Sequence, residues 1–161
     1  MAAADKLDDL FAQLPEAQGR DLARVEEEIW LEWSKSGSPA MDLLLKRGRD
    51  AMQAGDNDLA IEHLTALVDH APDFAEGYNG RATAYFQNGQ FGPALADISR
   101  VLQLNPRHFG ALAGLGIILE EMGQTRDALE VYQEVAKLHP HREGLQATID
   151  RLETELGDQT L

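Results

Sequence analysis

The sequence predicts an all-α fold, a solenoid of stacked helical hairpins, on three observations. Three stretches, 41–74, 75–108 and 109–142, align with one another at a spacing of 34 residues. Glycine recurs at position 15 of each stretch, alanine at position 20 and proline at position 32. These recurring residues are Gly55, Gly89, Gly123, Ala60, Ala94, Ala128, Pro72, Pro106 and Pro140. A fixed period of this length, with breakers and small residues in phase, is typical of helical repeat proteins.

The region ahead of the repeats, residues 1–38, is predicted to be an N-terminal helical extension. Two helices are expected, Asp5–Leu14 and Glu16–Lys35, with a proline between them. The second helix carries Trp30 and Trp33 and runs into a flexible Ser-Gly-Ser segment. Because tryptophan side chains are large and mostly apolar, both are expected to find a place to be buried.

The first repeat begins with a helix over Met41–Ala54. Ser38 is its expected N-cap, and the proline that follows suits the first helical position, where no N–H is needed. Glycine ends this helix, and the second helix runs from Asp58 to His70 with Asp56 or Asp58 as its cap. The Ala-Pro pair that follows stops it, since the residue before a proline disfavours helical geometry.

The later helices keep the same phase. They are predicted over Phe74–Asn88, Gly92–Leu104, Arg107–Met122, Thr125–Leu138 and Glu143–Leu156. The last of them, within 143–161, is an amphipathic helix that covers the end of the solenoid, and 157–161 are expected to fray.

Small residues recur where paired helices are expected to cross. Position 8 holds glycine or alanine, and position 24 holds a larger apolar residue. The residues concerned are Gly48, Ala82, Gly116, Leu64, Ile98 and Tyr132. We expect the small position to permit a close approach of the helices, and the larger one to fill the neighbouring space.

The pattern resembles tetratricopeptide repeats, which call for apolar, small and aromatic residues at set positions of the first helix, followed by alanine and proline in the second. The second stretch meets it with Tyr78, Ala82, Tyr85, Ala94, Ile98 and Pro106, and the third with Leu112, Leu115, Gly116, Leu119, Ala128, Tyr132 and Pro140. The likeness covers 41–140. It implies a right-handed superhelical solenoid of three repeats between N-terminal helices and a C-terminal capping helix.

The resemblance also implies a concave groove lined by the first helix of each repeat. Its expected residues are Leu45, Arg49, Met52, Gln53, Asn79, Thr83, Phe86, Gln87, Ala113, Ile117, Glu120 and Glu121. Met52 and Phe86 are expected as apolar anchors, and Arg49, Asn79 and Glu120 as orienting groups. Such a surface suits an extended peptide or a helix of another protein. The alternative is that the protein's own tryptophan-bearing helix occupies the groove.

Composition excludes several classes of function. The net charge of −14 argues against nucleic acid and anionic membranes as partners, because both select clustered lysine and arginine. The chain has no cysteine, which excludes disulfides, cysteine-based zinc sites and thiol nucleophiles. The longest nearly apolar run, 109–119, is too short to span a bilayer.

Other candidate sites favour ordinary structural roles. The acidic turn at 56–58 lacks the glycine and glutamate of a calcium loop and is read as a helix cap. His139 and His141 lack a third ligand at a fixed spacing, which favours a solvent-exposed turn over a metal site. The acidic run 26–28 is read as a solvated face, with recruitment of a basic partner as the alternative. No catalytic residues and no cofactor are expected.

One recognition mode known in tetratricopeptide proteins can be tested directly. Some resemble cochaperones that grip the terminal carboxylate of a peptide with lysine, asparagine and arginine. The matching positions here are Leu45, Arg49, Gly80, Gly110 and Gly114. Only the arginine could contribute, so a carboxylate clamp is not expected.

The expected function is that of a non-enzymatic module that binds a peptide or helix of a partner protein. Self-assembly, including a homodimer, and an accessory role in a cell-envelope assembly complex are the alternatives. The chain also resembles small exported bacterial tetratricopeptide proteins, which favours the periplasm over the cytoplasm. The N-terminus lacks the basic and apolar segments of a leader, as in a mature exported protein or a native cytosolic start.

Overall fold

A computed structural model describes residues 2–160, and in that part of the chain it contains nine α-helices and no β-strand. The helices are α1 Ala3–Gln13, α2 Gly19–Trp33, α3 Pro39–Gln53, α4 Asn57–His70, α5 Ala75–Gln87, α6 Phe91–Leu104, α7 Phe109–Glu121, α8 Thr125–Leu138 and α9 Leu145–Gln159. Every helix predicted from the periodicity is present.

The glycine at position 15 ends the first helix of each repeat by the same hydrogen-bonding motif. Gly55, Gly89 and Gly123 all adopt the left-handed conformation, with φ of 80°, 71° and 74°. After α3, the Gly55 N–H donates to Met52 O at 3.0 Å, and the Asp56 N–H donates to Ala51 O at 2.9 Å. The same two bonds close α5 and α7, 34 residues apart in each case. This is a Schellman cap, which satisfies carbonyl groups that the helix leaves without partners.

Helix starts in the first repeat follow the predicted capping. The Ser38 hydroxyl accepts a hydrogen bond from the Met41 N–H at 3.4 Å, and Pro39 is the first residue of α3. Of the two candidate caps for α4, the structure selects Asp56, whose carboxylate accepts from the Leu59 N–H at 3.0 Å. An N-cap of this kind stabilises a helix by about 1 kcal/mol.

The small residues at position 8 lie against the large residues at position 24, as expected. A Cβ added to Gly48 would lie 2.6 Å from Leu64 Cγ, and one added to Gly116 would lie 2.6 Å from Tyr132 Cζ. The alanines at position 20 are fully buried. Glycine is therefore needed at these two crossings, because no side chain fits between the helices.

The chain divides into two compact units. The first to be described is Trp33–Gly114, in which α4 packs on α3 and α5, and α6 packs on α5. Its core includes Leu45, Ala51, Ala60, Leu64, Leu67 and Ala84. These side chains come from α3, α4 and α5, which share one apolar interior.

The other unit contains the described residues before Trp33 and after Gly114. Within it, α9 packs on α8, and Lys6 of α1 pairs with Glu32 of α2 at 2.9 Å. The division of the chain into a 1–38 extension, repeats over 39–142 and a cap over 143–161 remains a prediction.

Two expectations at the ends of the chain were wrong. The second helix begins at Gly19 rather than at Glu16, because Gly19 takes the left-handed conformation, with φ of 56°, at the turn before it. Gly157 was expected to fray, yet α9 continues to Gln159, since a helical glycine costs only about 1 kcal/mol. Leu161, the last residue of that tail, lies outside the described residues. Within 2–160, no helix combines the length and the apolar character needed to cross a membrane.

Candidate functional site

The first helices of repeats one and two, α3 and α5, border a cleft of about 620 Å³ in the Trp33–Gly114 unit. Its lining residues are Ser34, Asp42, Leu45, Lys46, Arg49, Asp50, Met52, Gln53, Thr83 and Gln87. Leu45 is 2% exposed and belongs to the core, and the half-buried Met52 packs against that core. The cleft therefore combines an apolar base with a polar rim.

Arg49 links this cleft to a buried carboxylate. Its Nη2 donates to Glu76 Oε2 at 2.8 Å, and its Nη1 donates to Ser34 Oγ at 3.1 Å. The Glu76 side chain is 1% exposed, whereas that of Arg49 is 42% exposed. A buried carboxylate is costly without a cation or hydrogen-bond donors beside it, so Arg49 compensates Glu76 from the cleft side.

The other charged groups in the cleft are also satisfied within the chain. The backbone N–H and the hydroxyl of Ser36 donate to Asp42 Oδ1 at 2.9 and 2.6 Å, and these bonds lower the pKa of Asp42. Lys46 pairs with Asp50 one helical turn away, at 2.6 Å and in solvent. The lining thus holds two cations and two anions, and it carries no net charge.

Of the four neutral polar side chains of the cleft, two are hydrogen-bonded within the chain and two are not. Ser34 accepts from Arg49, and the Thr83 hydroxyl donates to Asn79 O at 3.1 Å. The side-chain amides of Gln53 and Gln87 have no hydrogen-bond partner among the described residues. Both glutamines are exposed, one on each wall and each at position 13 of its repeat. They are the polar groups of the cleft that remain available to a ligand.

Six of the twelve expected groove residues line this cleft: Leu45, Arg49, Met52, Gln53, Thr83 and Gln87. Asn79 and Phe86 lie on α5 but do not line this cleft, and the Phe86 ring stacks on Phe91 at 5.6 Å between centroids. Ala113 is 7% exposed, so it is a buried packing residue rather than a surface one.

The remaining three, Ile117, Glu120 and Glu121, belong to the other unit. Ile117 is 43% exposed. Glu120 accepts from the Tyr132 hydroxyl at 2.8 Å and from Arg151 Nη2 at 2.6 Å. Glu120 is therefore bonded within its own chain, as Arg49 is, and the role of both as orienting groups stays a prediction.

The end of α2 lies in the same unit as the cleft. Trp33 is 8% exposed and stacks on His108 with ring centroids 4.2 Å apart, and it also contacts Phe109 at 4.9 Å. Ser34 is the only cleft-lining residue that precedes α3. Within Trp33–Gly114, the expected burial of Trp33 is confirmed, and its ring packs on His108 and Phe109 rather than lining the α3–α5 cleft.

The expected solvent-exposed turn is wrong for His139 but not for His141, which is exposed. His139 is fully buried, and its Nε2 bonds Glu26 in the same unit, while His141 Nε2 bonds Pro15 O at 3.0 Å. Burial lowers the pKa of His139, and the bond to Glu26 opposes that shift. Glu26 is correspondingly half-buried rather than part of a solvated acidic face. Across residues 2–160, no group of three or more His, Cys, Asp or Glu is placed to hold a metal ion.

The polar network behind the cleft was missed. Glu76 stands at position 2 of its repeat, a position expected to face the groove, but sequence alone does not reveal that it is buried with Arg49 and His108. The sequence offered one indication of a polar role for this position, since the first repeat also has an acidic residue there, Asp42.

Comparison with known families and structures agrees with this fold. A family model described as tetratricopeptide repeat matches residues 45–106 and again 79–143, more than half of the chain. A TPR repeat-containing protein from Rhizobium etli is 34% identical over 157 residues, covering 96% of this chain and 77% of the relative. The chain belongs to the tetratricopeptide-repeat family.

Solved structures share the fold. The Sgt2 TPR domain from Aspergillus fumigatus has a TM-score of 0.70 at 22% identity, over 76% of this chain and 83% of that one. The first TPR of Spaghetti, bound to an HSP90 peptide, has a TM-score of 0.69 at 23% identity, over 73% and 95%. These likenesses confirm the predicted all-α tetratricopeptide fold.

Proposed function

We propose that this protein is a non-enzymatic interaction module whose α3–α5 cleft binds an extended segment of a partner protein. The main observation behind this proposal is that the side-chain amides of Gln53 and Gln87, one on each wall of the cleft, have no hydrogen-bond partner among the described residues. A side-chain amide donates and accepts like a peptide bond. An extended segment presents unpaired backbone groups to such amides, whereas a helix satisfies its own. An extended segment therefore fits the cleft better than a helix does.

The charge of the cleft indicates the composition of that segment. The two cations and two anions of the lining balance, and Arg49 and Asp42 are already bonded within the chain. An uncharged segment meets no repulsion there, while an acidic one is opposed by the protein's net charge of −14. We expect the apolar side chains of the segment to lie on Leu45 and Met52, and binding to depend little on ionic strength.

The similarity to the peptide-bound structure supports peptide binding by this fold, but it does not support recognition of a terminal carboxylate. That structure shows a domain of this fold holding a peptide. This chain has glycine or leucine at most positions where a carboxylate clamp needs a polar side chain, Gly80 and Gly110 among them. Gly80 is buried, and a Cβ there would lie 3.3 Å from Leu64. A terminal carboxylate is therefore not the feature that the cleft recognises.

The test is a peptide array probed with the full chain. Synthetic peptides of varied sequence, all with amidated C-termini, are incubated with the wild type, with a Gln53→Ala/Gln87→Ala variant and with Gln133→Ala as a control on the exposed face of α8. Each lost hydrogen bond is worth about 1 kcal/mol, so the cleft variant should weaken binding about tenfold or more.

The outcomes decide the assignment. Peptides that bind the wild type and the control but lose affinity for the cleft variant would support it. Peptides that bind all three proteins equally, or only at low salt, would contradict it. An array without binders, together with a dimer or larger species by light scattering, would shift the proposal to self-association. We also propose a periplasmic or exported location, with the cytoplasm as the alternative, and cell fractionation tests it.

A further inference from the structure

A chain of buried hydrogen bonds runs from the cleft to the tryptophan at the end of α2. Glu76 accepts from Arg49 through Oε2 and bonds His108 Nε2 through Oε1. His108 Nδ1 accepts the Ala111 N–H at 3.0 Å. Because Nδ1 is an acceptor there, Nε2 carries the proton and donates to Glu76. His108 directly precedes α7, so the same ring also caps the first turn of that helix.

The imidazole ring is also the surface on which Trp33 rests. The two rings are nearly parallel, at 19°, with centroids 4.2 Å apart. The bonds at Nδ1 and Nε2 set the plane of the imidazole, and that plane sets where the indole can stack. The seating of Trp33 therefore depends on the bond between His108 and Glu76.

Arg49 is the member of this chain that solvent and ligands reach. Its side chain is 42% exposed in the cleft, while Glu76 and His108 are 1% and 0% exposed. A guanidinium has five N–H donors, and Arg49 gives one to Glu76 and one to Ser34. An oxygen of a bound segment that accepts from the other donors would pull the guanidinium towards the cleft and away from Glu76. Any such movement leaves the buried carboxylate less compensated, which is unfavourable enough to require a rearrangement around it.

We infer that Arg49, Glu76 and His108 form a latch that couples occupancy of the α3–α5 cleft to the seating of Trp33 on α7. When a segment that fills the cleft draws Arg49 away, Glu76 and His108 rearrange and the indole loses its stacking surface. The end of α2 is then released. The ligand-dependent part rests on the proposed function, whereas the coupling among the residues does not.

The coupling is tested first without any partner. A Trp30→Phe protein keeps Trp33 as its only tryptophan, since the chain has two. Arg49→Gln in this background should shift the Trp33 emission maximum to the red and increase its quenching by acrylamide. Arg47→Gln, an exposed arginine of the same helix, should leave both unchanged. Circular dichroism should show the same helicity in all three proteins. An unchanged Trp33 signal in Arg49→Gln, or an equal change in Arg47→Gln, would overturn the latch.

A second variant separates the buried charge from general disturbance. Glu76→Gln is nearly isosteric, and it removes the charge that Arg49 compensates. In the Trp30→Phe/Glu76→Gln protein, Arg49→Gln should therefore have little further effect on Trp33 emission, a non-additivity that a double-mutant cycle measures. Fully additive effects would show that Arg49 acts on Trp33 by another route and would refute the inference.

Peptides selected on the array then test the ligand-dependent part. Adding such a peptide to the Trp30→Phe protein should give the same red shift, and it should give none beyond that already present in Trp30→Phe/Arg49→Gln. Binding without a shift would refute the latch and leave the proposed function intact. If no peptide binds, the proposed function fails, and the partner-free variants still decide whether the coupling exists.

Discussion

Replacing Gly48 by alanine tests the reason for the small residue at position 8. The added Cβ would lie 2.6 Å from Leu64 Cγ and 2.7 Å from Leu64 Cδ2, about 1 Å inside a normal carbon–carbon contact. Leu64 is fully buried, and the close packing of protein interiors leaves such a side chain little room to move. The overpacking cost should reach the upper part of about 1–3 kcal/mol, against a helix-propensity gain of about 1 kcal/mol. We expect the free energy of unfolding to fall by about 2 kcal/mol in urea melts.

A double-mutant cycle isolates the contact. Leu64→Ala alone should cost about 2–5 kcal/mol, but it removes the three atoms nearest to the added Cβ, so Gly48→Ala should stabilise the protein in that background. Gly157→Ala, in a helical position with nothing within 4 Å, should raise stability by about 0.5–1 kcal/mol. If Gly48→Ala is neutral or stabilising in the wild-type background, the close-crossing explanation is wrong.

Three further predictions concern packing and charge. Ala94, fully buried at position 20, should tolerate leucine poorly, at a cost of about 1–3 kcal/mol in the free energy of unfolding. Arg81 pairs with the buried Asp97 through two hydrogen bonds of 2.8 Å. Arg81→Met should therefore lower the free energy of unfolding by about 3 kcal/mol, and adding Asp97→Asn should recover part of that loss. The pKa of His139 is lowered in the folded state from its ordinary value of about 6.5. Below that pH, the unfolded chain therefore binds more protons at His139 than the folded chain does. Stability should therefore fall as the pH drops below about 6.5, and urea melts of His139→Gln should lack that component.

The periodic residues explain why the helices could be predicted so closely. Glycine at position 15 marks a left-handed residue that ends a helix, and its effect is local, since it depends on backbone geometry alone. Alanine at position 20 and glycine at position 8 report a close helix crossing in the same way, because only small residues fit there. The start of α2 was missed because Gly19 has no repeat counterpart to identify its role as a turn residue.

The site could be predicted only in part, because position in a repeat does not reveal which charges pair. Leu45, Arg49, Met52 and Thr83 face the α3–α5 cleft as the repeat pattern implies. The partner of Arg49 is Glu76, 27 residues away, and the buried side chain completing the network is His108, another 32 residues on. Such pairings depend on packing between helices of successive repeats, and neither a period nor a composition contains them.

Gln53 and Gln87 are proposed to bind the backbone of an extended segment. Nitrogen-15 NMR of the full chain detects their side-chain NH₂ groups directly, with assignment from the Gln53→Ala and Gln87→Ala variants. On titration with an array-selected peptide, we expect both amide pairs to shift with one common dissociation constant, and backbone signals of α3 and α5 to move with them. Unchanged side-chain signals of both glutamines, with shifts concentrated on other helices, would contradict the claim.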